Sequence, residues 1–180
     1  MKGRPLPIRT LLTIALAAGT AGAKDDAPQA GDLAALVECR AGGVTAYNSL
    51  ATELTGSGRA AALKRLGMRE VKSANPFLAE YRLAAPITVF GRTTSHVAFN
   101  SAGVLAVLDE ADPHPLGAQL GVTAAVDRPG KYLAEKVVSQ IEEQVSEDVK
   151  LTATTTLNVS TVDSHPGKVL AGCGYRIDTE

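Results

Sequence analysis

Residues 149–160 (VKLTATTTLNVS) alternate without a break. Val149, Leu151, Ala153, Thr155, Leu157 and Val159 stand against Lys150, Thr152, Thr154, Thr156, Asn158 and Ser160. Successive strand side chains point to opposite faces, so this pattern defines one long strand with a buried and a wet face. A strand of that length needs long neighbours to satisfy its backbone groups, and the rest of the chain must supply them.

The following segment supplies one. Asp163-Ser164-His165-Pro166-Gly167 has turn chemistry, and Val169, Ala171, Cys173, Tyr175 and Ile177 then alternate again with Cys173 on the inner face. The preceding segment, 131–145, fits two patterns. Leu133, Val137, Ile141 and Val145 fall four apart, yet Leu133, Glu135, Val137, Ser139 and Ile141 also fall two apart. A strand is expected there, because the alternating segment needs a long partner.

Earlier in the chain the period is helical. Leu33, Leu36, Val37, Val44, Tyr47, Leu50, Ala51 and Leu54 form one apolar stripe, with Asp32 as a cap and Gly42-Gly43 as a kink or close approach. Residues 59–66 read as a second short helix that stops at Gly67. From Phe77 the period becomes two, with strands expected near 77–83, 87–90, 96–100 and 104–108. Leu116 to Leu120 reads as one helical turn and Val126 to Gly130 as loop. Phe77, Tyr81, Phe90, Phe99 and Tyr175 are expected in the core. The fold expected is α+β: a twisted antiparallel sheet of about 4–6 strands with an N-terminal helix packed on one face and one disulfide.

That disulfide rests on compartment. Lys2, Arg4 and Arg9 precede a short apolar run, Leu11 to Ala18, and Ala21-Gly22-Ala23 ends in small residues ahead of Lys24-Asp25-Asp26. This order is that of a secretory signal peptide cleaved near Ala23, and the apolar run is too short to span a bilayer. Residues 24–31 (KDDAPQAG) read as a flexible mature N-terminus, leaving 32–180 as a single domain. The alanine-rich signal points to a periplasmic or secreted protein with no transmembrane segment in its mature form. In that oxidising setting Cys39 and Cys173, the two cysteines of the chain, are read as one disulfide closing 134 residues (173 minus 39). Chain-entropy arithmetic puts such a crosslink at about 4–5 kcal/mol.

Charge excludes one class of partner. Three of the eighteen basic residues and none of the nineteen acidic ones lie before residue 24, so the mature chain has fifteen against nineteen, a net charge of −4. An acidic domain with no basic run and no interleaved aromatics has no electrostatic footprint for nucleic acid.

Two short loops repeat one theme, Asp112-Pro113-His114-Pro115 and Asp163-Ser164-His165-Pro166. Each sets a carboxylate two residues before an imidazole beside a stiffening proline. Turn formation accounts for the pattern; metal binding would need His96, His114 and His165 to converge with a carboxylate, since zinc takes three or four ligands at about 2.0–2.2 Å. Asp163, Ser164 and His165 are also the residue types of a hydrolase triad, but adjacent residues on one turn are not expected to reach that geometry. Thr152, Thr154 and Thr156 read as good strand formers on a solvated face.

No catalytic residue and no cofactor is assigned. The function expected is that of a small exported, non-enzymatic binding, inhibitor or envelope accessory protein whose partner is another envelope or secreted protein. Its candidate contact loops carry Asp109, Asp112, His114, Asp163, His165 and Lys168. The rival is a small metal-assisted hydrolase using the loop His and Asp residues.

Overall fold

The computed structural model describes residues 30–180, with side chains from Leu33 onward. The signal peptide expected at 1–23 and nearly all of the flexible segment expected at 24–31 lie outside the described residues.

The expected α+β fold of about 4–6 strands is corrected: the chain is mostly β. Eight antiparallel strands form one sheet in the order β1-β2-β3-β4-β8-β7-β6-β5. In chain order they are β1 (Met68–Val71), β2 (Ala79–Val89), β3 (Arg92–Asn100), β4 (Gly103–Leu108), β5 (Thr123–Arg128), β6 (Lys131–Ser146), β7 (Val149–Ser160) and β8 (Val169–Thr179). The helices are short, from 7 to 13 residues: α1 (Ala30–Val37), α2 (Gly43–Thr55), α3 (Arg59–Arg65) and α4 (His114–Leu120).

β7 runs over the alternating segment and pairs along its length with β6 on one side and β8 on the other. Its odd-numbered residues Leu157 and Val159 join the main core. Thr152 and Thr154, expected on a wet face, are buried. They are flanked in register by the longer side chains of Glu142 and Asp178 and of Gln140 and Arg176.

The single kinked helix expected over 32–54 is two helices. Cys39 has φ 58° and Gly42 and Gly43 have φ 36° and 60°, left-handed values that end one helix and start another. Leu33, Leu36, Val37, Tyr47 and Leu50 pack from α1 and α2 onto the inward residues of β2, β3, β4 and β8. Cys39, in the turn between the helices rather than within one, bonds Cys173 of β8 with Cα atoms 5.3 Å apart. Beside it Tyr47 stacks on Tyr175 at 5.0 Å, and Tyr175 Oη donates to Leu36 O at 2.7 Å. Covalent bond, stacked rings and hydrogen bond thus hold the helical layer to the centre of the sheet.

β1 and β5 were not expected, and Val126 to Gly130 is not loop but the end of β5 and its hairpin turn. The two strands expected at 77–83 and 87–90 are one strand, β2, whose pairing with β3 slips between Arg82 and Ile87 around Pro86. Phe77, expected in the core, is 83% exposed, because β2 begins only at Ala79.

The opposite face of the sheet carries a smaller cluster of Ala98, Leu105, Val107 and Leu170, roofed by Leu78 and Val162. Those two residues belong to the loops entering β2 and leaving β7. On this loop-covered face Glu80 of β2 is buried. Among the described residues no helix is long and apolar enough to cross a membrane.

Candidate functional site

Alternation in β2 sends Tyr81 and Leu83 under the helices, and therefore Glu80 and Arg82 to the second face. On β3, His96 lies opposite Arg82, and Ala98 lies opposite Glu80. The β7–β8 turn lays Ser164 and His165 over the same spot, and the β1–β2 loop adds Ser73 and Asn75.

Glu80 is buried and fully engaged. Its Oε2 accepts from His96 Nε2 at 2.7 Å; its Oε1 faces His165 Nε2 at 3.2 Å and the Ser73 hydroxyl. A carboxylate only accepts, so both imidazoles present Nε2–H to it. In the neutral ring His165 Nδ1 is then an acceptor; Ser164 Oγ lies 2.9 Å from it, with Asn75 Nδ2 3.3 Å from that same Oγ. Burial alone would raise the Glu80 pKa, but the Ser73, His165 and His96 donors outweigh it and hold the carboxyl below its usual range. Burial, and then the nearby Arg82 charge, push His96 below the usual imidazole value against the pull of Glu80.

His165 also lines an open groove of about 880 Å³. Its walls are the residues around Asp112 and His114, the β5–β6 hairpin from Asp127 to Tyr132, and the turn from Thr161 to Lys168. The two loops singled out in the sequence therefore face one another. Lys168 pairs with Asp109 across them. His114, exposed at the start of α4, has Nδ1 2.6 Å from Asp112 Oδ1 and Nε2 3.1 Å from Asp127 Oδ1, and meets the Tyr132 ring edge-on. Hydrogen bonds first to Asp112 and then to Asp127 raise its pKa, favouring the imidazolium. Asp163 stands exposed on the same groove wall.

The three histidines do not share a centre: His96 and His165 meet on Glu80, while His114 has its own pair of aspartates. Among the described residues no group of three His, Cys, Asp or Glu side chains is placed to hold a metal ion. Ser164 and His165, adjacent on one turn, were not expected to reach triad geometry; they do hydrogen-bond, and the carboxylate behind them is Glu80 rather than Asp163. Glu80, Ser73 and Asn75 escaped the sequence reading. The signal available was a charged residue inside the apolar alternation of β2, which a sheet with one wet face would leave in solvent.

No family model, no curated protein and no solved structure matches the chain.

Proposed function

We propose that this is an exported, non-enzymatic binding protein whose groove receives a segment of another envelope or secreted protein. The observation that carries the reading is the convergence of two proline-stiffened loops on one groove of about 880 Å³. One loop is pinned from behind by His165 on Glu80, and the Lys168–Asp109 pair ties the other loop to it. Preorganised loops lose little entropy on binding. Both charge signs line the groove, Asp112, Asp127 and Asp163 together with Arg128, Lys131 and Lys168, which suits a polypeptide better than a polyanion. The disulfide supports export, since such bonds persist in oxidising compartments.

The test is crosslinking of the tagged mature chain in envelope extract, run beside a double variant, Arg128→Glu with Lys131→Glu. One stoichiometric species captured by the parent and lost from the folded variant supports the groove. Capture of nothing, or of the same species by both, refutes it.

A second reading, ester or amide hydrolysis, has one observation in its favour: the chain Ser164 Oγ, His165 Nδ1, His165 Nε2, Glu80 Oε1 at 2.9 and 3.2 Å. In such a step Ser164 Oγ bonds the substrate carbonyl carbon, its proton passes to Nδ1, and Glu80 stabilises the imidazolium before that proton goes to the leaving group. A fluorophosphonate probe decides it: a covalent adduct on Ser164 that Glu80→Gln abolishes supports hydrolysis, and an unlabelled folded protein removes it.

A further inference from the structure

A second, smaller cavity of about 200 Å³ lies on the other side of the Glu80 cluster, at the place where β2 slips against β3. Unlike the groove it is a polar pocket, lined among others by Arg82, Thr93, Ser95, His96, Asp109 and Lys168. Its charges do not cancel. Lys168 is matched by Asp109. Glu80, two residues before Arg82, keeps its negative charge but does not line the pocket; its oxygens face Ser73, His96 and His165. The Arg82 guanidinium makes no hydrogen bond or ion pair with any described residue. The exposed Arg82 side chain lines the pocket, and its charge bears on both His96 and Asp109. His96 adds a directional feature. With Nε2–H given to Glu80, the neutral ring keeps Nδ1 as an acceptor, and that atom has no partner among the described residues.

We propose that this pocket binds a hydrogenphosphate-type oxyanion, either inorganic phosphate or the head group of a small phosphomonoester. Arg82 presents the planar fork that matches two phosphoryl oxygens, Lys168 adds a point charge, and Thr93 and Ser95 are among the lining residues. The remaining P–OH donates to His96 Nδ1. Sulfate has the same shape but no such proton near neutrality, so it leaves Nδ1 facing an anionic oxygen. The pocket thereby discriminates between two tetrahedral anions by one hydrogen. The site is independent of the groove reading, although Lys168 stands on the wall common to both cavities.

The experiment is a titration of the mature chain with inorganic phosphate, sulfate and glycerol 3-phosphate, followed by calorimetry and by the His96 ring resonances. It is run near pH 6, about the second pKa of a phosphomonoester, with ionic strength held by chloride. Saturable phosphate binding is expected, with sulfate weaker by about fivefold or more, the worth of one polar contact. Arg82→Gln should weaken phosphate by about tenfold or more, and Lys168→Gln by less, with the unfolding midpoint of the exposed-site Arg82 variant unchanged. Tighter glycerol 3-phosphate assigns the site to an organic head group; tighter inorganic phosphate assigns it to the free ion. No saturation below roughly 50 mM phosphate, an affinity too weak to matter, overturns the proposal. So does equal binding of sulfate, or of phosphate by a folded Arg82→Gln chain.

Discussion

His165 Nε2 lies 3.2 Å from Glu80 Oε1, so one contact ties the turn before the last strand to the second strand of the sheet. The pair is buried on both sides. Because Glu80 also takes His96 and Ser73, its two oxygens close a network that spans β2, β3 and two covering loops. Removing the carboxylate charge leaves imidazole N–H groups facing an amide. Glu80→Gln is expected to cost about 1–3 kcal/mol, the penalty of leaving buried donors poorly matched. Urea unfolding near pH 7 measures it, and faster hydrogen exchange in residues 161–168 locates the loss. An unchanged midpoint would mean that the network contributes nothing.

The same cluster gives stability a pH slope of known sign. His96 has a folded pKa below the ordinary 6.5, so as the pH falls the unfolded chain takes up its proton first and stability drops from about 6.5 downward. Glu80, also depressed from 4.5, contributes stability that is complete above that value and is lost as the pH falls through its folded pKa. His114 acts with the opposite sign, its raised pKa giving stability below 6.5 that fades as the pH rises, but it is exposed and its share is small. The net expectation is a urea midpoint that rises from pH 4 to pH 7. In His96→Gln the part of that slope just below pH 6.5 should shrink; an identical slope would show that His96 is not its source.

Reduction of Cys39–Cys173 frees a loop of 134 residues in the unfolded chain. The expected loss is about 4–5 kcal/mol, less whatever order the unfolded chain retains. Cys39→Ser with Cys173→Ser should reproduce the loss in denaturant titrations without reductant. A double variant as stable as the parent would show that the stacked Tyr47–Tyr175 pair and the surrounding core suffice alone.

What could be read from the sequence followed from how burial is distributed. β7 and β8 sit in mid-sheet against helices on one face, so their inward residues, Thr155 apart, are apolar in strict alternation. β1 and β5 are the outermost strands, of four and six residues, and β5 has no buried residue, so no pattern marks either one. The glycines at 42 and 43 announced a disturbance, but the left-handed backbone at Cys39 that turned a kink into a break left no trace in residue type. His165 and Lys168 were legible as loop residues because turn chemistry is local. Glu80 was not, since its partners lie 16 and 85 residues away (96 minus 80, 165 minus 80) and only strand pairing brings them together. A second covered face, built by loops rather than by a regular element, hid the burial that would have singled it out.

A glycine that leaves no room for a side chain yields the last expectation. Gly172 of β8 lies opposite Leu105 of β4, and a Cβ added to it would meet Val104 O at 2.1 Å and Leu105 Cα at 2.7 Å. Both obstacles are backbone, so neither can swing aside as a side-chain tip could. β4 and β8 are also the junction between the two halves of the sheet, β1 to β4 on one side and β5 to β8 on the other. Gly172→Ala should therefore destabilise by about 2–3 kcal/mol, the scale of overpacking in a rigid interior. Gly58→Ala is the control: its φ of −78° is ordinary and nothing stands within 4 Å of the added carbon, so the change should stay within about 0.5 kcal/mol. Thermal and urea midpoints of the two variants, measured side by side, separate backbone collision from the general effect of adding a methyl group. Equal midpoints would mean that β4 and β8 are spaced more widely at Gly172 than these distances require.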